Sequence, residues 1–238
     1  MDLTPAFVLH HRPYRETSLL LEAFTQSHGR ISMVARGVRQ YKKKQVNALQ
    51  LFQPVWLSWY GQGELVTLAQ VETVEAAYRL IGSSSLCGLY MNELLVKLLP
   101  VHESEPALFT AYQSALKALQ EGQNEQIVLR LFEKRLLSHL GYGLVLQHEA
   151  DTHKDIDEAA HYIYHPDSGP RLHQGTTSEQ TISGRSLRCL NDEAGFDETS
   201  LKEIKRLMRT VINYYLGGRP LYSRQLFAGL NQYTTKNK

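Results

Sequence analysis

Residues 30–36 read RISMVAR. Ile31, Met33 and Ala35 fall on one side of an extended chain, and Arg30, Ser32, Val34 and Arg36 on the other, which is the period-two pattern of a half-buried strand. Working outward, the neighbours are of the same kind. Upstream, AFVLHHR (6–12) is short and mostly apolar, and SLLLEAFT (18–25) is a buried run ending in the turn Ser27-His28-Gly29-Arg30. Downstream, PVWLSWY (54–60) is rich in β-formers, YGQGE (60–64) is a glycine-bearing hairpin turn, and LVTLAQVETV (65–74) follows. Pro54 stands at a strand start, where a missing N–H is tolerated. Five short strands and one long loop within about 75 residues predict a small barrel.

The period then lengthens. From about Ser83 the apolar residues recur at three and four, with Leu86, Leu89, Tyr90 and Leu94 placing one helix. PALFTAYQSALKALQEG (106–122) predicts a second, stopped by Gly122. NEQIVLRLFEKRLLSHLGYG (124–143) predicts a third, with Leu129, Phe132, Leu136 and Leu140 as its core stripe and Gly141 just past its end. Residues 144–183 lose the pattern and read as an irregular insertion or a small β-ribbon around HYIYH and QTISG. SGRSLRCLN (183–191) predicts a short helix. Ser200 to Glu203 has the form of a capping box opening the last long helix, whose stripe is Leu201, Ile204, Met208, Val211 and Tyr215, with Gly217-Gly218 as its stop. LYSRQLFAGL (221–230) predicts a final short helix. The expected class is α+β: a barrel over residues 1–80, then a mostly helical domain over 81–238 with the insertion at about 144–183.

The 238 residues fit one large or two smaller domains, and 42% hydrophobic residues support a packed core without metals or disulfides. Two distant thiols, Cys87 and Cys189, suit a reducing compartment. MDLTPAFVLHHRP lacks a basic segment followed by an apolar one, so no secretory signal is expected. LCGLYMNELLVKLLP (86–100) is interrupted by Glu93 and Lys97 and reads as a core helix, not a membrane span.

The net charge of +2 hides a polarised chain: residues 1–63 carry +5, 64–203 carry −10 and 204–238 carry +7. Two basic ends around an acidic middle point to a polyanionic partner, although an uneven solvated surface gives the same count. The densest run is ARGVRQYKKK (35–44). Arg30 and Arg36 share a strand face, and Arg39, Lys42, Lys43 and Lys44 follow. Tyr41 lies among them, and Trp56 and Trp59 lie on the next strand. Cations track phosphates and aromatic rings stack on bases, a combination that suits single-stranded nucleic acid; core packing is the alternative for each tryptophan. The last long helix presents Lys202, Lys205, Arg206 and Arg209, followed by Arg219 and Arg224. On the third helix Arg130 and Lys134 stand at i, i+4 with Ile127 a turn earlier, a pattern that can accept an acidic peptide ending in a hydrophobe but equally suits an idle exposed face.

Five histidines (His148, His153, His161, His165 and His173) lie in the insertion among acids, but no third ligand has characteristic spacing, so neither a metal nor any other cofactor is expected. No Walker A sequence, nucleophile elbow or zincin motif occurs, and no catalytic residue is expected.

AFVLHHRPYRETSLLLEAFT, GRISMVARGVR, GLYMNELLVKLL, RLFEKRLLSHLGYG and YLGGRPLYSRQLF, in this order, resemble the RecO family of bacterial recombination mediators in its gammaproteobacterial form. The resemblance covers nearly the whole chain. It implies an N-terminal OB-fold and a helical C-terminal domain in a non-enzymatic, cytoplasmic, nucleoid-associated protein. It implies binding of single- and double-stranded DNA, annealing of complementary strands without ATP, and action with RecR in helping RecA displace the single-stranded DNA-binding protein. That protein's acidic, hydrophobic-ended tail would be met by Arg130, together with Lys134 and Ile127. GRISMVARGVR and the lysine triplet match the barrel's DNA-binding edge. Some family members carry a four-cysteine zinc site where this chain has only Cys189, so a zinc-less insertion is expected. The alternatives are an RNA-binding OB protein and, more remotely, a metal-dependent hydrolase built on the histidines.

Overall fold

Each of the five expected strands forms. They are β1 (Thr4–Tyr14), β2 (Ser18–Thr25), β3 (Gly29–Ala35), β4 (Val55–Tyr60) and β5 (Leu65–Thr73). The structure, a computed structural model, describes residues 2–41 and 47–227, with the side chains of residues 40 and 41 left out. The strands close into a barrel in the order β1-β2-β3-β5-β4. All neighbours are antiparallel except β3 and β5, which run parallel with Met33 opposite Val66. Closure comes from β1 against β4, with Pro5 opposite Trp56. The alternation predicted for RISMVAR holds: Ile31, Met33 and Ala35 point into the barrel with Val8, Leu21, Ala23, Val55, Leu57 and Trp59.

The outer side of β1 and β2 is also apolar, because helices cover it. These are α2 (Ser83–Leu98) and α3 (Pro106–Gln120); α1 is the single turn Val38–Tyr41 after β3. Phe7 and Phe24 each lie with ring centroids 5.4 Å from Phe109 of α3. The β1–β2 register slips between Val8 and His10, so Leu9 is skipped in the pairing. A buried carbonyl without a ladder partner is costly. Asn92 of α2 meets it, donating to Leu9 O at 2.9 Å, and Tyr112 Oη in turn donates to Asn92 Oδ1 at 2.6 Å. A side-chain relay thus fixes both helices to the bulge. The chain returns to this body at Leu221, which is buried, and a helical segment over 222–227 begins under Glu93, whose carboxylate accepts from Tyr222 N (2.9 Å), Ser223 N (2.8 Å) and Ser223 Oγ (2.6 Å). Strand gives way to helix near residue 80, but by packing the chain divides into Met1–Gly122 with Leu221 onward, and Gln123–Pro220.

The second unit holds α4 (Glu125–His139), β6 (His161–His165), β7 (Gly169–His173), β8 (Thr181–Ser183), α5 (Gly184–Asp192) and α6 (Glu198–Leu216). The irregular insertion is therefore a three-stranded antiparallel sheet in the order β7-β6-β8. Its core joins Phe132, Leu136 and Leu137 of α4 to Leu187 and Leu190 of α5 and to Ile204, Met208, Val211 and Ile212 of α6. Asn124 caps α4, accepting from Gln126 N and Ile127 N.

The capping box of α6 lies elsewhere than expected. Asp197 is the N-cap and Ser200 its reciprocal partner, so the helix opens at Glu198 and Ser200 is inside it. Glu203 serves the preceding helix instead: its Oε2 accepts from Ser183 N (3.0 Å), Ser183 Oγ (2.7 Å) and Ser186 Oγ (2.7 Å) at the start of α5. The serine-to-acid spacing was right for a box, but Asp197, three residues before Ser200, offers the same chemistry earlier.

Candidate nucleic-acid interface

The basic residues of the barrel divide by environment. Arg30 is engaged inside the protein: Nη1 donates to Glu22 Oε2 at 2.7 Å and Nε to Leu99 O at 3.0 Å, while Ser32 Oγ holds the other Glu22 oxygen. Arg36 lies just past β3, where the strand leaves the barrel, and is exposed. Arg39, on α1, is also exposed, with Nη1 donating to Glu16 O at 3.2 Å. Lys42, Lys43 and Lys44 lie outside the described residues.

Arg36 lines an open groove of about 720 Å³ together with Tyr14, Arg15, Ser18, Val34 and Thr67. Arg15, at the tip of the β1–β2 hairpin, has φ 52, a left-handed conformation rare outside glycine. The hairpin turn holds it there, and its guanidinium lies 5.3 Å from the centroid of the Tyr14 ring. Sequence reading missed Arg15. Its signal was present in RPYRET, where an aromatic residue and an arginine meet in a turn, but a two-residue cue of that kind is common. One acid, Glu16, also lines the groove.

The two tryptophans differ. Trp59 is 4% exposed and belongs to the barrel core, with the His28 ring edge-on at 5.2 Å. Trp56 is 40% exposed, on the outward face of β4 opposite Glu72 of β5. Strand parity separates them: Val55, Leu57 and Trp59 share the inward side.

On α6, Lys202, Lys205 and Arg209 are exposed, whereas Arg206 is half-buried, with Nη2 3.5 Å from Thr181 O. Arg219 is exposed beyond the helix, its Nε donating to Leu216 O at 3.0 Å. Arg224 belongs to the first unit, 5.9 Å from the Tyr90 centroid. The expected C-terminal basic residues are thus distributed over both units.

On α4 the spacing of Arg130 and Lys134 does not make an open cationic pair. Arg130 is only 7% exposed, and its Nη2 donates to the fully buried Glu133 at 2.7 Å. Lys134 Nζ donates to Leu190 O (2.9 Å), Asn191 O (2.8 Å) and Glu193 Oε1 (3.2 Å), capping the C-terminal carbonyls of α5, where a cation complements the helix dipole. Glu193 accepts Arg135 as well, at 2.8 Å. Burial alone would raise the Glu193 pKa, but the two cations outweigh it and the net shift is downward. Ile127 is half-buried a turn before Arg130.

Three of the histidines lie on the small sheet, and His148 and His153 precede it. His161 pairs with His173 across β6 and β7, His165 faces Gly169, and His148 Nδ1 lies 3.0 Å from Asp155 Oδ1. Among the described residues, no group of three or more His, Cys, Asp or Glu is placed to hold a metal ion. No described helix is long and apolar enough to cross a membrane.

The model of the family described as Recombination protein O N terminal matches residues 1–77, and that of Recombination protein O C terminal matches residues 82–225. The chain belongs to the RecO family. A relative named DNA repair protein RecO, from Nitrosococcus oceani, is 43% identical over 231 residues, covering 97% of this chain and 94% of the relative. The RecO of Coxiella burnetii is 44% identical over 226 residues (94% and 96% covered), and that of Methylococcus capsulatus 42% over 225 (94% and 92%). The OB-like closed barrel followed by helices and a small extra sheet is the α+β architecture that the resemblance implied. In this RecO chain Cys189 is a buried thiol donating to Gly195 O at 3.3 Å, and burial pushes its pKa up.

Proposed function

We propose that this RecO-family chain is a DNA repair and recombination mediator. It binds single- and double-stranded DNA, anneals complementary strands without ATP, and with RecR and the single-stranded DNA-binding protein promotes RecA loading. It performs no bond-making step of its own. The observation that carries this is the groove of Tyr14, Arg15 and Arg36 on an OB-like barrel, within a chain whose relatives are named for DNA repair. The guanidinium groups of Arg15 and Arg36 supply phosphate contacts and Tyr14 a ring face in the groove, and the exposed Arg39 and Trp56 add a cation and a ring outside it.

Annealing follows from charge. Two complementary strands repel through their phosphates, and a protein that neutralises phosphates on both, releasing their counterions, lowers the barrier to pairing. The lysine triplet and the cations on α6 extend the same chemistry. The partner's acidic tail is expected at Ile127, Arg130 and Lys134. Because Arg130 is engaged by Glu133 and Lys134 by Glu193, a tail carboxylate there competes with internal partners, and its binding should weaken steeply with salt.

The test is annealing of complementary oligonucleotides, bare or coated with single-stranded DNA-binding protein, in nucleotide-free buffer. The expected result is faster annealing of both. Failure to accelerate either, or acceleration only with ATP, would overturn the proposal.

A further inference from the structure

Strand register shows which residues share the groove's face beyond those that line it. Leu19, Leu21, Met33 and Val66 belong to the barrel core. The residues that alternate with them therefore point outward. Arg12 of β1 stands opposite Leu20, Leu20 opposite Val34, and Val34 opposite Thr67 of β5. These four make one row across the outside of β1, β2, β3 and β5. Val34 and Thr67 line the groove, as does Tyr14, two residues beyond Arg12 on the same side of β1. Arg12 is thus on the groove's own face, two strands from Val34, or roughly 9–10 Å at the usual strand spacing.

Arg12 is exposed, and among the described residues it has no hydrogen-bond or ion-pair partner. Arg15 and Arg36 likewise pair with no carboxylate among the described residues, Glu16 of the groove included. Exposed arginines of the second unit behave differently: Arg171 pairs with Asp151 at 3.4 Å, Arg185 with Asp197 at 2.8 Å and Arg188 with Glu158 at 3.2 Å. Three like charges gathered on one face without counter-charges repel one another and contribute nothing to the fold. A polyanion supplies the missing charge.

Arg30 marks where this face ends. It also points outward, but its Nη1 donates to Glu22 at 2.7 Å, and Ser32 Oγ donates to the same carboxylate. Glu22 stands between His10 and Ser32, in the row next to that of Arg12. That row is already neutralised from within. The unpaired cations therefore run from Arg36 by way of the hairpin tip at Arg15 to Arg12, not back along β3 to Arg30.

We infer that Arg12 is a further phosphate-contacting residue of this interface, and that nucleic acid crosses the β1–β2 hairpin between Arg36 and Arg12. This rests on the DNA-binding reading above and assigns the path taken through that site.

The full chain is titrated with a fluorescent single-stranded oligonucleotide over a range of salt, read by anisotropy. Arg12→Ala should make the log–log slope shallower by about 0.7, the share of one phosphate. Added to Arg15→Ala, Arg36→Ala, it should bring the total change to about 2.1. Arg12→Lys keeps the charge and should hold the wild-type slope. Lys117→Ala removes an exposed charge from α3, 3.9 Å from Glu121, and should leave the slope unchanged. An unchanged slope in Arg12→Ala, or an equal change in Lys117→Ala, would overturn the assignment of Arg12. If the Arg15, Arg36 pair flattens the slope and Arg12→Ala does not, the path alone is wrong. If none of the three does, the groove is not the interface, and a wild-type protein that binds no oligonucleotide would overturn the DNA-binding reading itself.

Discussion

Replacing Arg130 with alanine should destabilise the protein far more than a surface charge deletion does. Arg130 and Glu133 lie one turn apart on α4, and both are withdrawn from water, at 7% and 0% exposure. Their contact is 2.7 Å long. The contact offsets part of the cost of burying both charges; removing the arginine takes that cation away from the buried Glu133 carboxylate. Breaking a buried pair from one side costs about 3–5 kcal/mol. At roughly 4–8 °C per kcal/mol for a unit of about 100 residues, the transition of the second unit should fall by about 12–40 °C. Differential scanning calorimetry is the assay, since two compact units can melt separately. The double variant Arg130→Met, Glu133→Leu should recover most of the loss, because apolar residues replace the pair without its desolvation cost. A single variant within about 1 kcal/mol of wild type, or a double variant no better than the single, would refute the reasoning. The practical consequence is that tail-peptide binding by Arg130→Ala must be measured well below its melting temperature.

Further expectations follow from individual contacts. Burial tends to raise the Glu203 pKa, but the hydrogen bonds from Ser183 and Ser186 outweigh it, and the value falls below the ordinary 4.5. The stabilisation is therefore complete above the ordinary value and is lost as the pH falls through the lowered one. Urea midpoints measured from about pH 6 to about pH 3 should show a smaller acid-dependent drop for Glu203→Gln than for wild type. The tryptophans should separate: Trp59→Ala costs about 3–5 kcal/mol in denaturant unfolding, while Trp56→Ala costs under about 1 kcal/mol and instead weakens single-strand binding. Two glycines with positive φ should also differ. At Gly217 a Cβ meets nothing within 4 Å, so alanine costs only the left-handed backbone, about 1–2 kcal/mol; at Gly29 it would lie 1.8 Å from Glu103 O, so Gly29→Ala should cost more in the same thermal melts.

The barrel was legible because each strand carries its own period. RISMVAR alternates cleanly, and PVWLSWY places Trp59 with Val55 and Leu57 by parity alone. The helices were legible through their stripes and terminal glycines, Gly141 and Gly217 above all. What sequence spacing did not convey is which polar group a side chain will find. Arg130 and Lys134 stand four apart, as neighbours should, yet one turns to Glu133 in its own helix and the other to carbonyls of α5, contacts distant in sequence. Glu203 fits a capping box by spacing, but the serines it holds precede α5. Arg15 became visible only when the β1–β2 turn brought it beside Arg36.

The most direct test of the central claim is the salt dependence of binding to a fluorescent single-stranded oligonucleotide, read by anisotropy, for wild type and for Arg15→Ala, Arg36→Ala. Each phosphate contact contributes about −0.7 to the log–log slope. A steep wild-type slope that becomes shallower by about 1.4 in the double variant is the predicted result. Identical slopes in the two proteins would contradict the assignment of the barrel groove as the DNA-binding surface.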